Sequence, residues 1–234
     1  MQRARRSDAC APARTLPDSR TTDPVITALE SLRRLREGNA RFASNVRGID
    51  SFLSQERRAQ LAKLQEPHAI VLGCSDSRVP AEIVFDQGLG DLFVIRVAGN
   101  IVAPSQVGSV EYAAERFGTR LVVVLGHSQC GAVLATLDEL QRPAENQSPN
   151  LRSIVNRVRP SVAGLLETDL RNDLDALVSQ AVRANIRTSV DHLRNGSEVL
   201  EQLIAREGLL VVGAEYSLET GHVDFFEGIP EERS

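Results

Sequence analysis

Two short segments carry the residues best suited to chemistry. Gly73-Cys74-Ser75-Asp76-Ser77-Arg78-Val79-Pro80 follows the apolar run Ala69 to Leu72, and Gly126-His127-Ser128-Gln129-Cys130-Gly131 follows the apolar run Leu121 to Leu125. Both runs read as buried strands, and in open α/β sheets functional groups gather just beyond the carboxyl ends of strands. If the two strands are neighbours, Cys74, His127 and Cys130 converge. Two thiolates and one imidazole are a standard zinc ligand set, and three protein ligands leave the fourth tetrahedral position for water or substrate, a catalytic pattern. A structural zinc site would be closed by a fourth Cys or His; neither segment supplies one, although Asp76 could close it through oxygen. The spacing is equally compatible with a plainer reading, in which Cys74 and Cys130 are small buried hydrophobes and His127 is a satisfied core histidine. Asp76 and Arg78 stand two apart, so in an extended segment both side chains project to one side and can pair. That is either an ordinary ion pair or, beside a metal, a means for Arg78 to hold Asp76 off the ion and turn it toward bound water.

The elements that must position these groups follow from the pattern around them. Asp23 and Pro24 suit a helix start, and Ile26, Leu29, Leu32 and Leu35 recur at helical spacing. A second helix is expected across Ser54 to Leu64. Further strands are expected at Leu92 to Ile95 and Leu209 to Val212, with helices at Gln106 to Phe117, Gly131 to Leu140, Leu174 to Leu193 and Ser197 to Glu207. Alternation of this kind implies a mainly parallel sheet covered on both faces. Glu219-Thr220-Gly221-His222 is a turn signal, so Val223 to Phe226 is expected to return antiparallel at one edge. Gln141 to Asn150 reads as a loop flanked by helical pattern, inside a domain rather than between two. Residues 1–23 contain Arg3, Arg5, Arg6, Arg14 and Arg20 without the apolar stretch of a signal peptide, and are expected to be a disordered tail ahead of a single domain over 24–234.

Composition narrows the function classes. The 234 residues carry 27 Lys and Arg against 31 Asp and Glu, a net charge of −4 that offers no basic field for nucleic acid or an anionic membrane. No run of about 18 apolar residues suggests a membrane span. Aromatic residues make up only 4%, with no Trp, which argues against stacking platforms and for a small substrate. Three cysteines, Cys10, Cys74 and Cys130, are too few and too scattered for a secreted disulfide framework, so a reducing compartment, the cytoplasm, is expected.

CSDSRVP at Cys74 to Pro80, followed by GHSQCGAV at Gly126 to Val133, resembles the paired motifs of the β-class carbonic anhydrases. LREGNARF at Leu35 to Phe42, FDQGLGDLFVIRVAGN at Phe85 to Asn100, SVEYAAERFG at Ser109 to Gly118 and VVGAEYSLETGHVDFF at Val211 to Phe226 extend the resemblance over most of the chain. It implies Zn2+ held by Cys74, His127 and Cys130, with Asp76 and Arg78 as the catalytic dyad and Asp76 as a possible fourth ligand. It further implies a three-layer α/β fold, with a mostly parallel four-stranded sheet and an antiparallel edge strand. The protein would then be a homodimer or homotetramer whose site lies near the subunit interface, with the helix from Pro24 to Phe42 embracing the partner. Substrate-binding roles are implied for Gln65, for Phe93 and Tyr112 as apolar walls, and for the Gly131 backbone N–H. Each also has an ordinary reading, as a helix-end polar residue, core aromatics and a close-packed helix start. Ala98 stands where some members carry Val. His68, His192 and His222 match no ligand position and are expected at the surface or in loops.

The activity implied is reversible hydration of CO2 to bicarbonate and a proton by a zinc-bound hydroxide. Two thiolates make zinc a weaker Lewis acid than three imidazoles do, so alkaline conditions should be preferred. Two rivals remain at this point. One is a hydrolase of CS2 or COS on the same scaffold, separable by assaying both gases. The other is a non-catalytic zinc or redox-sensing protein, separable by CO2 hydration with and without a chelator. One subgroup of the family has a separate bicarbonate site of three side chains. Arg96 and Tyr216 match two of them, but Val71 stands at the position of its Trp, so that site is expected to be lost.

Overall fold

The computed structural model describes residues 26–46, 58–59, 61–62, 64–143 and 148–230. The expected tail, the Asp23-Pro24 helix start and most of the helix expected over Ser54 to Leu64 lie outside the described residues.

Helix α1 (Ala28–Ala43) is capped by Thr27, whose Oγ1 accepts from the Glu30 N–H at 3.2 Å. The threonine hydroxyl satisfies one of the open N–H groups at the helix start. Strand β1 (Ala69–Gly73) leads to the short helix α2 (Ala81–Val84) and to β2 (Leu92–Arg96). A 310 turn (Ala98–Asn100) and helix α3 (Pro104–Arg116) precede β3 (Leu121–His127). Helices α4 (Gly131–Gln141), α5 (Pro149–Val162), α6 (Leu174–Asn195) and α7 (Glu198–Glu207) then lead to β4 (Leu210–Tyr216) and β5 (Val223–Glu227).

The sheet order is β2-β1-β3-β4-β5; the first four strands are parallel and β5 returns antiparallel to β4, the expected architecture. Strand alternation sorts the core. Ile70, Leu72, Val122 and Val124 pack with residues of α3 to α7 on one face, while Ala69, Val71, Val123 and Leu125 pack with α1 and α2 on the other. Helix α1 lies so close to the sheet side that a Cβ at Gly38 would stand 1.8 Å from the Phe85 carbonyl oxygen. Asn39, 4% exposed, fixes that approach by donating to the Val84 and Gly221 carbonyls and accepting from the Val223 N–H.

Strand β3 runs two residues beyond the apolar run read from the sequence, because Gly126 and His127 pair with Glu215 and Tyr216 of an equally extended β4. His68 is not a surface histidine. It is buried at the foot of β1, where its Nε2 meets Gln87 Oε1 at 2.9 Å and its carbonyl accepts from Ser31 Oγ at 2.8 Å. His192 and His222 are exposed. Among the described residues, no helix is long and apolar enough to cross a membrane.

Candidate metal centre

Strands β1 and β3 are neighbours, with Gly73 opposite Leu125. The chain leaves β1 toward β2 on one side and leaves β3 toward β4 on the other, so a crevice opens between their carboxyl ends. Cys74 steps out of β1 into that crevice, and His127 closes β3 beside it. Ser128 then anchors the turn: its N–H donates to the Tyr216 carbonyl at 2.9 Å, and its Oγ accepts from the Leu218 N–H at 3.0 Å. Gln129 reverses the chain in the left-handed region (φ 55°), a conformation unfavourable for a residue with a Cβ. Cys130 consequently lands at the N-cap of α4, back against the crevice.

The ligand atoms of Cys74, His127 and Cys130 all lie within 4.8 Å of one another, and all three residues are buried. His127 Nδ1 is 2.9 Å from the Ser128 carbonyl, a contact in which only the nitrogen can donate, so Nε2 carries the free lone pair. That Nε2 is buried without a hydrogen-bond partner, which is costly for a polar atom unless something else meets it. An imidazole oriented through a second-ring-atom bond to a carbonyl, facing two sulfurs, fits a tetrahedral ion with bonds of about 2.3 Å to S and about 2.0 Å to N.

The electrostatics tie the three groups to one another. The hydrogen bond from Cys130 pulls the Cys74 thiol down to about 4 against the penalty of burial, helped by His127 and by the backbone N–H of Gly99. The same contact with Cys74, together with burial, pushes Cys130 up, as expected for two acidic groups competing over one proton. Burial opposes protonation of His127, but the Cys74 sulfur beside it prevails and raises its pKa.

Asp76 and Arg78 do pair, though not along an extended segment. The Asp76 carboxylate accepts from Arg78's own backbone N–H at 3.0 Å and the Val79 N–H donates to the Asp76 carbonyl, so the chain turns. The Arg78 guanidinium then covers both carboxylate oxygens and holds the Asp76 carboxyl well below the usual carboxylate range. Arg96, matched above to a bicarbonate-site position, donates to the carbonyls of Cys74 and Asp76 and so braces the segment that carries both.

The remaining expected residues divide. Gly131 opens α4 beside the crevice, and a Cβ there would meet nothing within 4 Å, so packing within the chain does not account for the glycine. Phe93 and Tyr112 come together, with ring centroids 6.2 Å apart, and both meet Phe117. Phe93, however, stands opposite Ile70, three residues and about 10 Å before the strand ends. Gln65 precedes β1 and is exposed. These three groups therefore lie toward the opposite end of the strands from the chain's own Cys-His-Cys cluster. Sequence reasoning missed Gly99, whose N–H reaches Cys74 Sγ at 3.4 Å, and the two α6 side chains behind it. Their only signal was a pair of polar residues, Asn185 and Ser189, within an apolar helical stripe.

A parallel α/β sheet with a Cys-His-Cys group at its switch point and an Asp-Arg pair alongside defines a class of metalloenzyme. The model of the carbonic anhydrase family matches residues 69–223. A carbonic anhydrase of Mycolicibacterium smegmatis is 42% identical over 208 residues, covering 86% of this chain and 94% of that protein. Carbonic anhydrase 2 of Mycobacterium tuberculosis is 39% identical, with coverages of 85% and 92%. Among solved structures, the β-carbonic anhydrase CcaA superposes with a TM-score of 0.66 at 28% identity, over 88% of this chain and 91% of that one. The chain belongs to the β-class carbonic anhydrases.

Proposed function

We propose that the protein catalyses reversible hydration of CO2 to bicarbonate and a proton, with zinc held by Cys74, His127 and Cys130. The observation that carries this reading is the unpartnered, buried His127 Nε2 facing two cysteine sulfurs within 4.8 Å. Zinc at such a site supplies Lewis-acid activation of water near neutral pH. Asp76 remains an anion whose oxygens are engaged by Arg78, so it accepts a hydrogen bond from the attacking water and aims the water's free lone pair at carbon. The same grip restrains the carboxylate, whose Oδ2, 3.8 Å from His127 Nε2, is near enough to compete for the fourth position. The Gly131 N–H, at an uncrowded helix start, donates to a substrate oxygen as charge builds on it. Gln65, Phe93 and Tyr112 serve the centre of a second subunit in a homodimer or a larger homo-oligomer. What supports this is their remoteness from the cluster of their own chain and the 54% exposure of Tyr112. A reducing compartment such as the cytoplasm would keep both thiols free to bind metal.

Stopped-flow CO2 hydration with and without a chelator, alongside metal analysis of the wild type and Cys74→Ala, tests the reading. One zinc per chain, lost in Cys74→Ala, and chelator-sensitive hydration are expected. Stoichiometric zinc in that variant would refute the ligand set, and CS2 or COS turnover without CO2 turnover would refute the substrate.

A further inference from the structure

We propose that Asn185 and Ser189 of α6 are positioning residues for Cys74, acting through the backbone N–H of Gly99 to set how strongly that sulfur donates to the metal. The inference rests on the reading of Cys74 as a metal ligand.

Helix α6 presents Val178, Ala181, Val182, Ile186, Val190 and Leu193 to the core, and within that stripe sit two polar side chains, Asn185 at 2% and Ser189 at 3% exposure. Buried polar groups are tolerated when paired, and these two pair with consecutive carbonyls of one turn. Asn185 Nδ2 donates to the Gly99 carbonyl at 2.8 Å, and Ser189 Oγ donates to the Asn100 carbonyl at 3.0 Å. Being four apart, they stand one above the other on the helix and grip the turn at two points.

The turn needs gripping. Gly99 (φ 72°) and Asn100 (φ 43°) both lie in the left-handed region, which a non-glycine residue adopts only when its surroundings impose it. The turn is also closely packed on α4, since a Cβ on Gly99 would stand 3.0 Å from the Ala132 Cβ, two residues beyond Cys130. In this arrangement the Gly99 N–H points toward Cys74 Sγ at 3.4 Å. A donor aimed at a ligating sulfur withdraws charge from it, weakens its donation and leaves the metal a stronger Lewis acid. That offsets the handicap of a centre with two thiolates. The residues that hold this turn lie on a helix about 110 positions along the chain from Cys74 and are outside the Cys-His-Cys group.

The test uses the full-length protein with Co2+ in place of zinc, comparing the wild type with Asn185→Ala, Ser189→Ala and Ser189→Thr. The readouts are the thiolate-to-cobalt charge-transfer band and metal affinity by chelator competition. With the N–H released, the sulfur becomes richer in electrons, so the band should move to longer wavelength in both alanine variants. Metal affinity should fall by about tenfold, because a sulfur whose turn is no longer held loses its fixed position, and that loss outweighs its stronger donation. Ser189→Thr, which keeps the hydroxyl, should restore the wild-type band. If the alanine variants bind one Co2+ per chain with an unmoved band, the proposal is overturned, even if they melt earlier. Should Asn185→Ala fail to fold, Ser189→Ala and its threonine counterpart decide alone. A Cys74→Ala control whose Co2+ band matches that of the wild type would instead refute Cys74 as a ligand, since Cys130 alone would then account for the band, which distinguishes failure of that reading from failure of this one.

Discussion

Arg78 takes hold of both oxygens of Asp76, Nε on Oδ1 at 2.9 Å and a terminal nitrogen on Oδ2 at 2.8 Å, while that same Oδ2 stands 3.8 Å from the free nitrogen of His127. A bidentate guanidinium is a strong and directional restraint on a carboxylate, and here it acts on a group near enough to occupy a metal's fourth position. The two charges are local, since the Arg78 side chain is 56% exposed, so the pair's importance is geometric rather than a large term in stability.

Arg78→Ala should therefore free Asp76 to compete with water. The competition is governed by pH: exchanging a bound carboxylate for hydroxide taken from water releases a proton, so rising pH favours the open site. In the wild type, hydration should climb through roughly pH 7 to 8.5. In Arg78→Ala the rate should fall at neutral pH and the climb should move to higher pH. An unchanged pH profile, measured by stopped flow, would exclude the competition.

A second pH effect should appear in stability. Burial holds the pKa of His68 below its ordinary value, outweighing the hydrogen bond to Gln87 and the charges of Asp91 and Glu30, which raise it, while Arg34 lowers it further. The unfolded chain then binds more protons than the folded one below about pH 6.5, and stability declines as pH falls from there toward the folded pKa. Denaturant midpoints of the wild type should drop between pH 7.5 and 5.5. The drop should be smaller in His68→Gln, and equal drops would contradict the assignment.

Bicarbonate should inhibit as a simple product, without cooperativity. Arg96 is committed to the carbonyls of Cys74 and Asp76, and Val71, fully buried against the α1 side of the sheet, has no N–H donor to offer an anion. A desolvated anion would thus recover few of its lost hydrogen bonds. Strongly cooperative inhibition at fixed pH and ionic strength, abolished by Arg96→Ala, would show that such a site persists.

Mixing two inactive variants checks the shared site. Cys74→Ala lacks the metal centre and Phe93→Ala lacks the aromatic wall. If one chain's Phe93 serves the other's metal, each mixed dimer rebuilds one of its two sites; with random pairing half of the dimers are mixed, so co-expression should recover about a quarter of wild-type activity. With both groups acting in the same chain, no mixed dimer contains an intact site and nothing would be recovered.

The residue types in Gly73 to Pro80 and Gly126 to Gly131, each after an apolar run, were enough to identify the metal ligands and the Asp-Arg pair as candidates, because strand ends are where a parallel sheet exposes side chains. Apolar runs and the Glu219 to His222 turn likewise revealed the strands and the antiparallel edge, since burial on both faces leaves an unbroken apolar signature. Other features depend on contacts between distant segments. The extension of β3 to His127 needs β4 as a hydrogen-bonding partner. The turn at Asp76 is decided by a side-chain acceptor competing with extended backbone. The tie from Asn185 and Ser189 through Gly99 to Cys74 joins three segments that no local pattern connects. Local sequence determines which residues can act and which segments are strands or helices; only tertiary packing decides where a backbone N–H points, because that direction is set by neighbours remote in the chain.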